Sequence, residues 1–393
     1  MPSLLACPYC YETFATREIM FRCNGRLSRT NISCALRTDP VLAQRMGIQR
    51  DLGPEFKADG RKGTAACPDC GGETTYRICP ICHSMLPVQF GVVGSRMIAM
   101  AGAKDSGKTV YMTVLLHELR NRVGDRFGAA IMGADEETRK RYEISYENPL
   151  YDDNRLPPTT QRAAQQDNRV VPLVFRFSAA RGLGNRPGHT LLSFFDAAGE
   201  DFGDQESVDV NTRYLACADG ILLLLDPLQM AGARSLAAPG IQLPGSGPLY
   251  ETPLNILSRV TDILLARSQR GPRAKISKPI AIVFTKLDAV WHNLERVSPL
   301  RAHPPEGQKF DVADCLNVHE EIRHLLREWE GGQISQILEN HYARYRYFGI
   351  SALGQPPTES DFAAPSGIQP YRVADPLLWM LSEFGAVPKT GKG

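Results

Sequence analysis

The sequence contains the segment Gly102-Ala103-Lys104-Asp105-Ser106-Gly107-Lys108-Thr109, from which its fold class can be inferred. Two glycines around four residues, followed by Lys-Thr, match the phosphate-loop pattern. An apolar run, Met97 to Ala101, precedes the loop, and Val110 to Leu119 follows it with helical spacing. In that context backbone N–H groups and the helix dipole can bind phosphate oxygens. The pattern predicts a nucleotide site from Gly102 through Val110, with Lys108 on the β- and γ-phosphates and Thr109 on Mg²⁺.

Three further motifs follow the loop, each at the end of an apolar run. They are Asp196-Ala197-Ala198-Gly199, Thr285-Lys286-Leu287-Asp288 and Ser351-Ala352. Open α/β sheets place ligands at the carboxyl ends of their strands. The order therefore predicts an α/β fold, a doubly wound and mostly parallel sheet. Ile221 to Leu225 reads as a central strand, and helices are predicted at Leu254–Ser268, Ala313–Glu330, Gln333–Arg344 and Pro376–Phe384.

These motifs have distinct expected roles. Asp196 would bind Mg²⁺ through water, and the Gly199 N–H would contact the γ-phosphate. Asp288 can accept hydrogen bonds from the N1–H and exocyclic amine of guanine, which adenine cannot supply. The Lys286 stem can lie across the base, and the Ala352 N–H can meet guanine O6. The alternative for Thr-Lys-Leu-Asp is a strand end with a solvated Lys and Asp.

Together, GAKDSGKT, DAAG, TKLD and SA resemble the translation-factor and Ras-like (TRAFAC) class of P-loop GTPases, from about Gly91 to the C-terminus. Thr285 stands where Asn is commoner. With its cysteine-rich N-terminus, the chain is also similar to the bacterial double-GTPase family of GTPase-associated conflict systems. The resemblance implies binding of GTP and GDP with Mg²⁺, hydrolysis of GTP, and action as a molecular switch.

The resemblance also implies a switch threonine that binds Mg²⁺ and the γ-phosphate. The candidates are Thr159 and Thr160; the sequence does not decide between them, and Thr160 is the one included among the expected site residues. Arg155 or Arg162 could act as an arginine finger, although a solvated arginine is the commoner outcome. Glu200 stands where Ras-like enzymes carry a water-orienting Gln, so hydrolysis is expected to be slow without a partner. The residues expected at the reacting phosphate are Lys108, Thr160, Gly199 and Glu200.

Eight of the ten cysteines precede residue 83. Cys67-Pro68-Asp69-Cys70 and Cys79-Pro80-Ile81-Cys82 flank a hairpin-like stretch, Gly71 to Ile78, and four thiolates at this spacing suit tetrahedral zinc. A second zinc site is predicted from Cys7, Cys10, Cys23 and Cys34. Disulfide bonds are the alternative. Paired Cys-Pro-x-Cys segments ahead of a nucleotide-binding domain disfavour it, because they speak against an oxidising compartment. The expected organisation is two small zinc-ribbon modules in residues 1–90, followed by a GTPase domain in 91–393 with insertions near 125–165, 228–250 and 354–372.

Composition limits the choice of partners. The chain has 393 residues and a net charge of only +2, and the cysteine-rich segment has little aromatic interleaving among its arginines. Structural and protein-docking roles are therefore favoured over nucleic-acid binding. No stretch approaches the roughly 20 apolar residues of a membrane span, and a cytoplasmic location is expected. The expected partner is a protein effector or activator, with self-association as an alternative. The functional alternatives are a GTP-binding scaffold that scarcely hydrolyses GTP, a zinc-ribbon nucleic-acid-binding NTPase, and an ATP-using enzyme, which Asp288 disfavours.

Overall fold

The computed structural model describes residues 4–29, 31–88, 90–157, 172–181, 186–196, 212–241, 243–245, 252–267, 274–357, 362–364 and 366–391. The N-terminal region is built from very short strands and one helix: β1 (Leu4–Ala6), β2 (Thr13–Ala15), β3 (Met20–Arg22), β4 (Arg37–Thr38), β5 (Asp51–Leu52), β6 (Glu55–Phe56), β7 (Ala65–Ala66), β8 (Glu73–Thr74), β9 (Arg77–Ile78) and α1 (Pro40–Met46). They form four small antiparallel sheets, in the orders β1-β2, β6-β3-β9, β4-β5 and β7-β8. Strands of two or three residues bury little apolar surface, so this region depends on other stabilisation.

A seven-stranded sheet forms the centre of the remaining chain: β10 (Gly94–Gly102), β11 (Ala129–Gly133), β12 (Leu173–Arg181), β13 (Arg186–Asp196), β14 (Gly220–Leu225), β15 (Ile280–Phe284) and β16 (Tyr345–Gly349). Its order is β11-β12-β13-β10-β14-β15-β16. The five strands from β13 to β16 in that order are parallel, whereas β11 and β12 join antiparallel. The predicted mostly parallel sheet is confirmed.

Helices cover both faces of this sheet: α2 (Lys108–Arg120), α3 (Arg122–Phe127), α4 (Glu136–Tyr142), α5 (Asn148–Tyr151), α6 (Ala231–Ser235), α7 (Pro253–Ala266), α8 (Val312–Glu328), α9 (Gly332–His341) and α10 (Asp375–Glu383). Side chains alternate across β14, so Leu223 packs in the core that contains α7 and α9, and Leu222 in the core that contains α2 and α10. All six residues of β14 are buried, as expected for a central parallel strand. The sheet is doubly wound, as predicted.

Two sequence predictions need correction. The stretch Gly71 to Ile78 is not a hairpin, because β8 pairs with β7 while β9 pairs with β3. The helix predicted to reach Arg344 ends at His341. The backbone there pairs with Ile276 instead, because the Ile276 N–H donates to the His341 carbonyl and the Ala343 N–H donates to the Ile276 carbonyl. The other three predicted helices match α7, α8 and α10 within two residues. Within the described ranges, every helix is too short or too polar to cross a membrane.

Candidate nucleotide site and cysteine clusters

The phosphate loop is held in a tight curl between β10 and α2. Asp105 and Gly107 adopt left-handed backbone angles, with φ of 61° and 80°. A Cβ atom on Gly102 would lie 2.4 Å from the Leu224 carbonyl oxygen, so a glycine is required there. The Ser106 hydroxyl donates to the Ala103 carbonyl at 2.9 Å. These contacts shape the loop without a ligand and leave α2 beginning at Lys108.

Lys108 lies beneath this loop. Its ammonium donates to the Gly102 carbonyl at 3.0 Å and to the Ala103 carbonyl at 2.7 Å. The residue is only 6% exposed. An anion bound by the loop N–H groups would attract this buried cation, because a charge–charge contact in a poorly solvated site is stronger than one to a neutral carbonyl.

The sheet register brings the predicted motifs to one edge. In the parallel ladders, Gly102 pairs with Leu224, Leu225 with Phe284, and Phe284 with Gly349. On the other side, Met100 pairs with Asp196. The residues that follow β14, β15 and β16 therefore lie at the same edge of the sheet as the phosphate loop, the carboxyl edge where open α/β sheets bind ligands.

Thr285 connects the fourth motif to the phosphate loop. Its hydroxyl donates to the Ser106 carbonyl at 2.9 Å, with the Leu225 carbonyl 3.2 Å away, and the residue is 3% exposed. A threonine hydroxyl thus reaches the phosphate loop from the position where the resembled class more commonly has Asn. The contact fixes the spacing between the loop and the residues that follow Thr285.

Asp288 is held by the motif that follows β16. The Ser351 hydroxyl donates to Asp288 Oδ1 at 2.5 Å and accepts from the Gly354 N–H at 2.8 Å. Burial raises the pKa of Asp288, and the Ser351 hydrogen bond partly offsets that rise. The half-buried, oriented carboxylate does not fit the alternative of a solvated strand end. Ala352 lies half-buried beside Ser351.

Asp226 lies beside the predicted site residues but belongs to none of the sequence motifs. It follows β14 and is 0% exposed. Its Oδ1 accepts from the Leu228 N–H at 2.9 Å, and its Oδ2 accepts from Lys286 Nζ at 2.7 Å. The signal in the sequence is an aspartate directly after an apolar strand at the ligand-binding edge, beside the residues of the Thr-Lys-Leu-Asp motif.

Several predicted residues lie outside the described part of the chain: Thr159, Thr160, Arg162, Ala197, Ala198, Gly199 and Glu200. Asp196 is described only as the last residue of β13. Arg155 is exposed, and its N–H donates to the Pro149 carbonyl at 2.8 Å. The switch-threonine and arginine-finger assignments remain predictions.

The eight N-terminal cysteines form two clusters of four: Cys7, Cys10, Cys79 and Cys82, and Cys23, Cys34, Cys67 and Cys70. Within each cluster the sulfur atoms lie within 4.8 Å of one another. The pairs Cys7–Cys82 and Cys34–Cys67 are separated by 3.8 Å and 3.7 Å. A tetrahedral zinc ion with Zn–S bonds of about 2.3 Å places its sulfurs about 3.8 Å apart. Both clusters therefore fit zinc.

The predicted grouping of these cysteines is wrong. Cys7 and Cys10 do not join Cys23 and Cys34, and Cys67 and Cys70 do not join Cys79 and Cys82. The reason is the antiparallel pairing of β3 with β9, in which Met20 faces Ile78. With this pairing, Cys79 follows β9 and lies near Cys7 and Cys10, whereas Cys23 follows β3 and lies near Cys70. The two clusters are interleaved along the sequence.

A buried ionic network lies between the clusters. Arg22, next to Cys23, pairs with Asp39 at 2.5 Å, and His83, next to Cys82, approaches the same carboxylate at 2.9 Å. Asp39 also caps α1 by accepting from the N–H groups of Val41 and Leu42. Because one buried carboxylate binds neighbours of both clusters, distortion of either cluster would disturb this network.

The sheet, phosphate loop and Thr-Lys-Leu-Asp motif define a P-loop nucleotide-binding protein of the GTPase type. The profile of the family described as Double-GTPase 2 matches residues 96–330. Because this match covers more than half of the 393 residues, the chain belongs to the Double-GTPase 2 family. Membership and the phosphate loop support GTP binding.

A sequence relative comes from Mycolicibacterium smegmatis and is named "Putative ESX-1 scaffolding and assembly protein SaeC". It is 29% identical over 409 aligned positions, which cover 97% of this chain and 99% of the relative. Two solved structures are also similar. A GTP-binding protein of Sulfolobus solfataricus with GDP has 13% identity and a TM-score of 0.27, over 66% of this chain and 48% of that one. The Arl6 BBS3 small GTPase of Trypanosoma brucei with GppNp has 13% identity and a TM-score of 0.28, over 74% and 98%.

Proposed function

We propose that this protein binds GTP with Mg²⁺, hydrolyses it to GDP, and acts as a nucleotide-dependent molecular switch. The observation that carries the proposal is the position of Asp288. Its carboxylate is fixed by Ser351, and the same motif is joined to the phosphate loop by Thr285. Asp288 can accept hydrogen bonds from a base, and the phosphate loop can bind phosphates. Because these contacts hold the two at a fixed spacing, the site suits a purine nucleoside triphosphate.

Guanine selectivity follows from the chemistry of that carboxylate. Guanine offers two neighbouring N–H donors, whereas adenine presents an acceptor at the equivalent ring nitrogen. A partly desolvated carboxylate left without donors carries a large penalty, which disfavours adenine. This argument makes the ATP-using enzyme the weaker alternative.

Hydrolysis needs Mg²⁺, a positioned water and positive charge near the γ-phosphate. Thr109 and Asp196, with Thr160, are the residues proposed to hold Mg²⁺, which would neutralise phosphate charge. Glu200 adds negative charge where the resembled class carries a neutral amide. Slow intrinsic hydrolysis, accelerated by a protein partner or by self-association, is the expected behaviour.

Contacts of the helical residues 212–217 support a link between the proposed nucleotide site and the cysteine-rich region. The helical residues 212–217 come directly after the segment that contains Gly199 and Glu200. Tyr214 packs on Tyr11 with ring centroids 5.3 Å apart, and Cys217 Sγ donates to the Tyr11 carbonyl at 2.9 Å. Tyr11 follows Cys10, a proposed zinc ligand. Movement of the helical residues would therefore displace the segment that contains Cys7 and Cys10.

The same tyrosine also contacts the strand that feeds the phosphate loop. The Tyr214 hydroxyl donates to the Ile98 carbonyl at 2.8 Å and accepts from the Met100 N–H at 3.1 Å. One side chain therefore contacts both β10 and the cysteine-rich region. This arrangement supports the cysteine-rich region as the output of the switch.

A protein is the proposed partner, because the relative's name refers to scaffolding and assembly. That name also favours the second candidate function, a GTP-binding interaction scaffold with little hydrolysis. Nucleic-acid binding through the cysteine-rich region is the less favoured alternative.

Single-turnover hydrolysis of GTP across protein concentrations separates switch from scaffold. We expect a slow rate in the native protein that rises with concentration or with a partner, and no hydrolysis by Lys108→Ala. Glu200→Gln should hydrolyse faster than the native protein, and the exposed Lys62→Ala serves as the control. Fast, concentration-independent turnover would show that no partner is needed. GTP binding with no turnover under any condition would favour the scaffold.

A further inference from the structure

Asp226 is completely buried, and both of its carboxylate oxygens are used. Oδ1 accepts from the Leu228 N–H at 2.9 Å, and Oδ2 accepts from Lys286 Nζ at 2.7 Å. A buried carboxylate is costly unless it is paired and hydrogen-bonded. The Lys286 ammonium is therefore required by Asp226 even before any ligand binds.

Lys286 is held at both ends. Its backbone adopts a left-handed φ of 53°, a conformation that non-glycine residues seldom adopt. The next N–H, from Leu287, donates to the Ile350 carbonyl at 3.0 Å and fixes that backbone. At the other end the ammonium is paired with Asp226. The side chain is 39% exposed, so part of the stem between these points faces solvent.

We propose that Asp226 is a positioning residue for guanine recognition, which it serves by fixing the Lys286 stem as an apolar surface for the flat face of the base. The inference rests on the proposed GTP binding. A free lysine would lose rotamer entropy on packing against a base. With Asp226 in place, most of that ordering is complete in the free protein, and preorganisation of this kind increases affinity.

The charges around Lys286 support this role. The lysine charge favours the ionised form of Asp288 and so lowers its pKa, whereas the negative charge of Asp226 raises that pKa. An ammonium held beside Asp226 therefore offsets the effect of the Asp226 charge on the carboxylate that guanine needs. A lysine free to extend into solvent would do neither task.

A merely structural role for Asp226 is the competing explanation, since it caps the turn at Pro227–Gln229. Asp226→Asn separates the two roles. An asparagine keeps a carbonyl oxygen for the Leu228 N–H and replaces the other oxygen by an NH₂ group, which cannot accept from Lys286 Nζ. Asp226→Ser, which retains a capping hydroxyl, provides the same comparison if the asparagine variant does not fold. The exposed Asp262→Asn is the matched control.

The test measures dissociation constants of GDP and of magnesium tripolyphosphate, which has no base, for native protein, Asp226→Asn, Lys286→Met and the double variant. We expect each single change to weaken GDP about ten-fold, the double variant to be no weaker than either, and tripolyphosphate binding to be unchanged. Equal weakening of both ligands, or additive losses in the double variant, would overturn the assignment. If native protein does not distinguish GDP from ADP, the proposed guanine specificity fails, and that outcome is read from native protein alone.

Discussion

The interleaved cysteine clusters give a prediction that sequence spacing alone would reverse. Cys34 and Cys67 are 33 residues apart, yet their sulfurs lie 3.7 Å apart in one cluster. Cys10 and Cys34 are closer in sequence but belong to different clusters. Replacing Cys34 and Cys67 together by serine should therefore damage one zinc site, whereas replacing Cys10 and Cys34 should damage both.

The magnitude follows from the ligand count. A complete four-thiolate site contributes about 10–16 kcal/mol of apparent zinc binding free energy at pH 7. Under a competing chelator, the Cys34→Ser/Cys67→Ser variant should retain one zinc ion of two, with its intact site at Cys7, Cys10, Cys79 and Cys82. The Cys10→Ser/Cys34→Ser variant should retain none, because each site then has three thiolates. Native mass spectrometry of the full chain counts the ions directly.

Unfolding measurements test the same pairing, because each zinc site that is lost should lower the free energy of unfolding of the cysteine-rich region. Two changes within one cluster should destabilise little more than one change, since the site is already lost. Two changes in different clusters should cost clearly more. A Cys10→Ser/Cys34→Ser variant that keeps one tightly bound zinc, beside a Cys34→Ser/Cys67→Ser variant that keeps none, would refute the grouping.

Three further predictions concern the sheet and its carboxyl edge. Thr285→Val should weaken GTP binding about ten-fold or more in a titration, because the buried Ser106 carbonyl loses its donor; Thr212→Val is the control, and unchanged affinity would contradict the role of this contact. Burial lowers the pKa of His319 to about 4, so the fold should lose up to about 3 kcal/mol of stability as pH falls from 6.5 to 4. Denaturant unfolding of His319→Gln should lack that loss; a variant with the native pH profile would exclude this origin. Because burial raises the pKa of Asp288, lowering the pH should weaken GTP binding sooner than for an exposed aspartate, and Asp288→Asn should abolish this pH dependence.

The strands nearest the nucleotide site were predictable because they are buried on both faces. β14 and β15 are continuous apolar runs, and the predicted strand Ile221 to Leu225 matches β14 within one residue at each end. β11 was not predicted. This strand has only five residues and is partly exposed at the edge of the sheet. Its apolar and polar residues therefore show too little alternation to predict a strand.

The site was predictable where a motif is local in sequence and not where long-range pairing decides. The phosphate loop and Asp288 belong to short patterns whose chemistry is set by neighbouring residues. The cysteine grouping depends on two residue pairs between β3 and β9, which ligand spacing does not encode. Asp226 lies next to Lys286 because β14 and β15 are adjacent in the sheet. This pairing depends on the order of the strands, so the sequence around Asp226 does not reveal it.

Nucleotide competition on the native protein and on Asp288→Asn tests directly whether Asp288 selects guanine. A labelled guanine nucleotide is displaced by GTP, ATP or xanthosine triphosphate in the presence of Mg²⁺. Native protein should prefer GTP over ATP by orders of magnitude, because Asp288 supplies the acceptors for the guanine N–H groups. Asp288→Asn should shift preference toward the xanthine nucleotide, whose exocyclic oxygen accepts a hydrogen bond from the new amide. Equal affinity of the native protein for ATP and GTP would contradict the selection of guanine by Asp288.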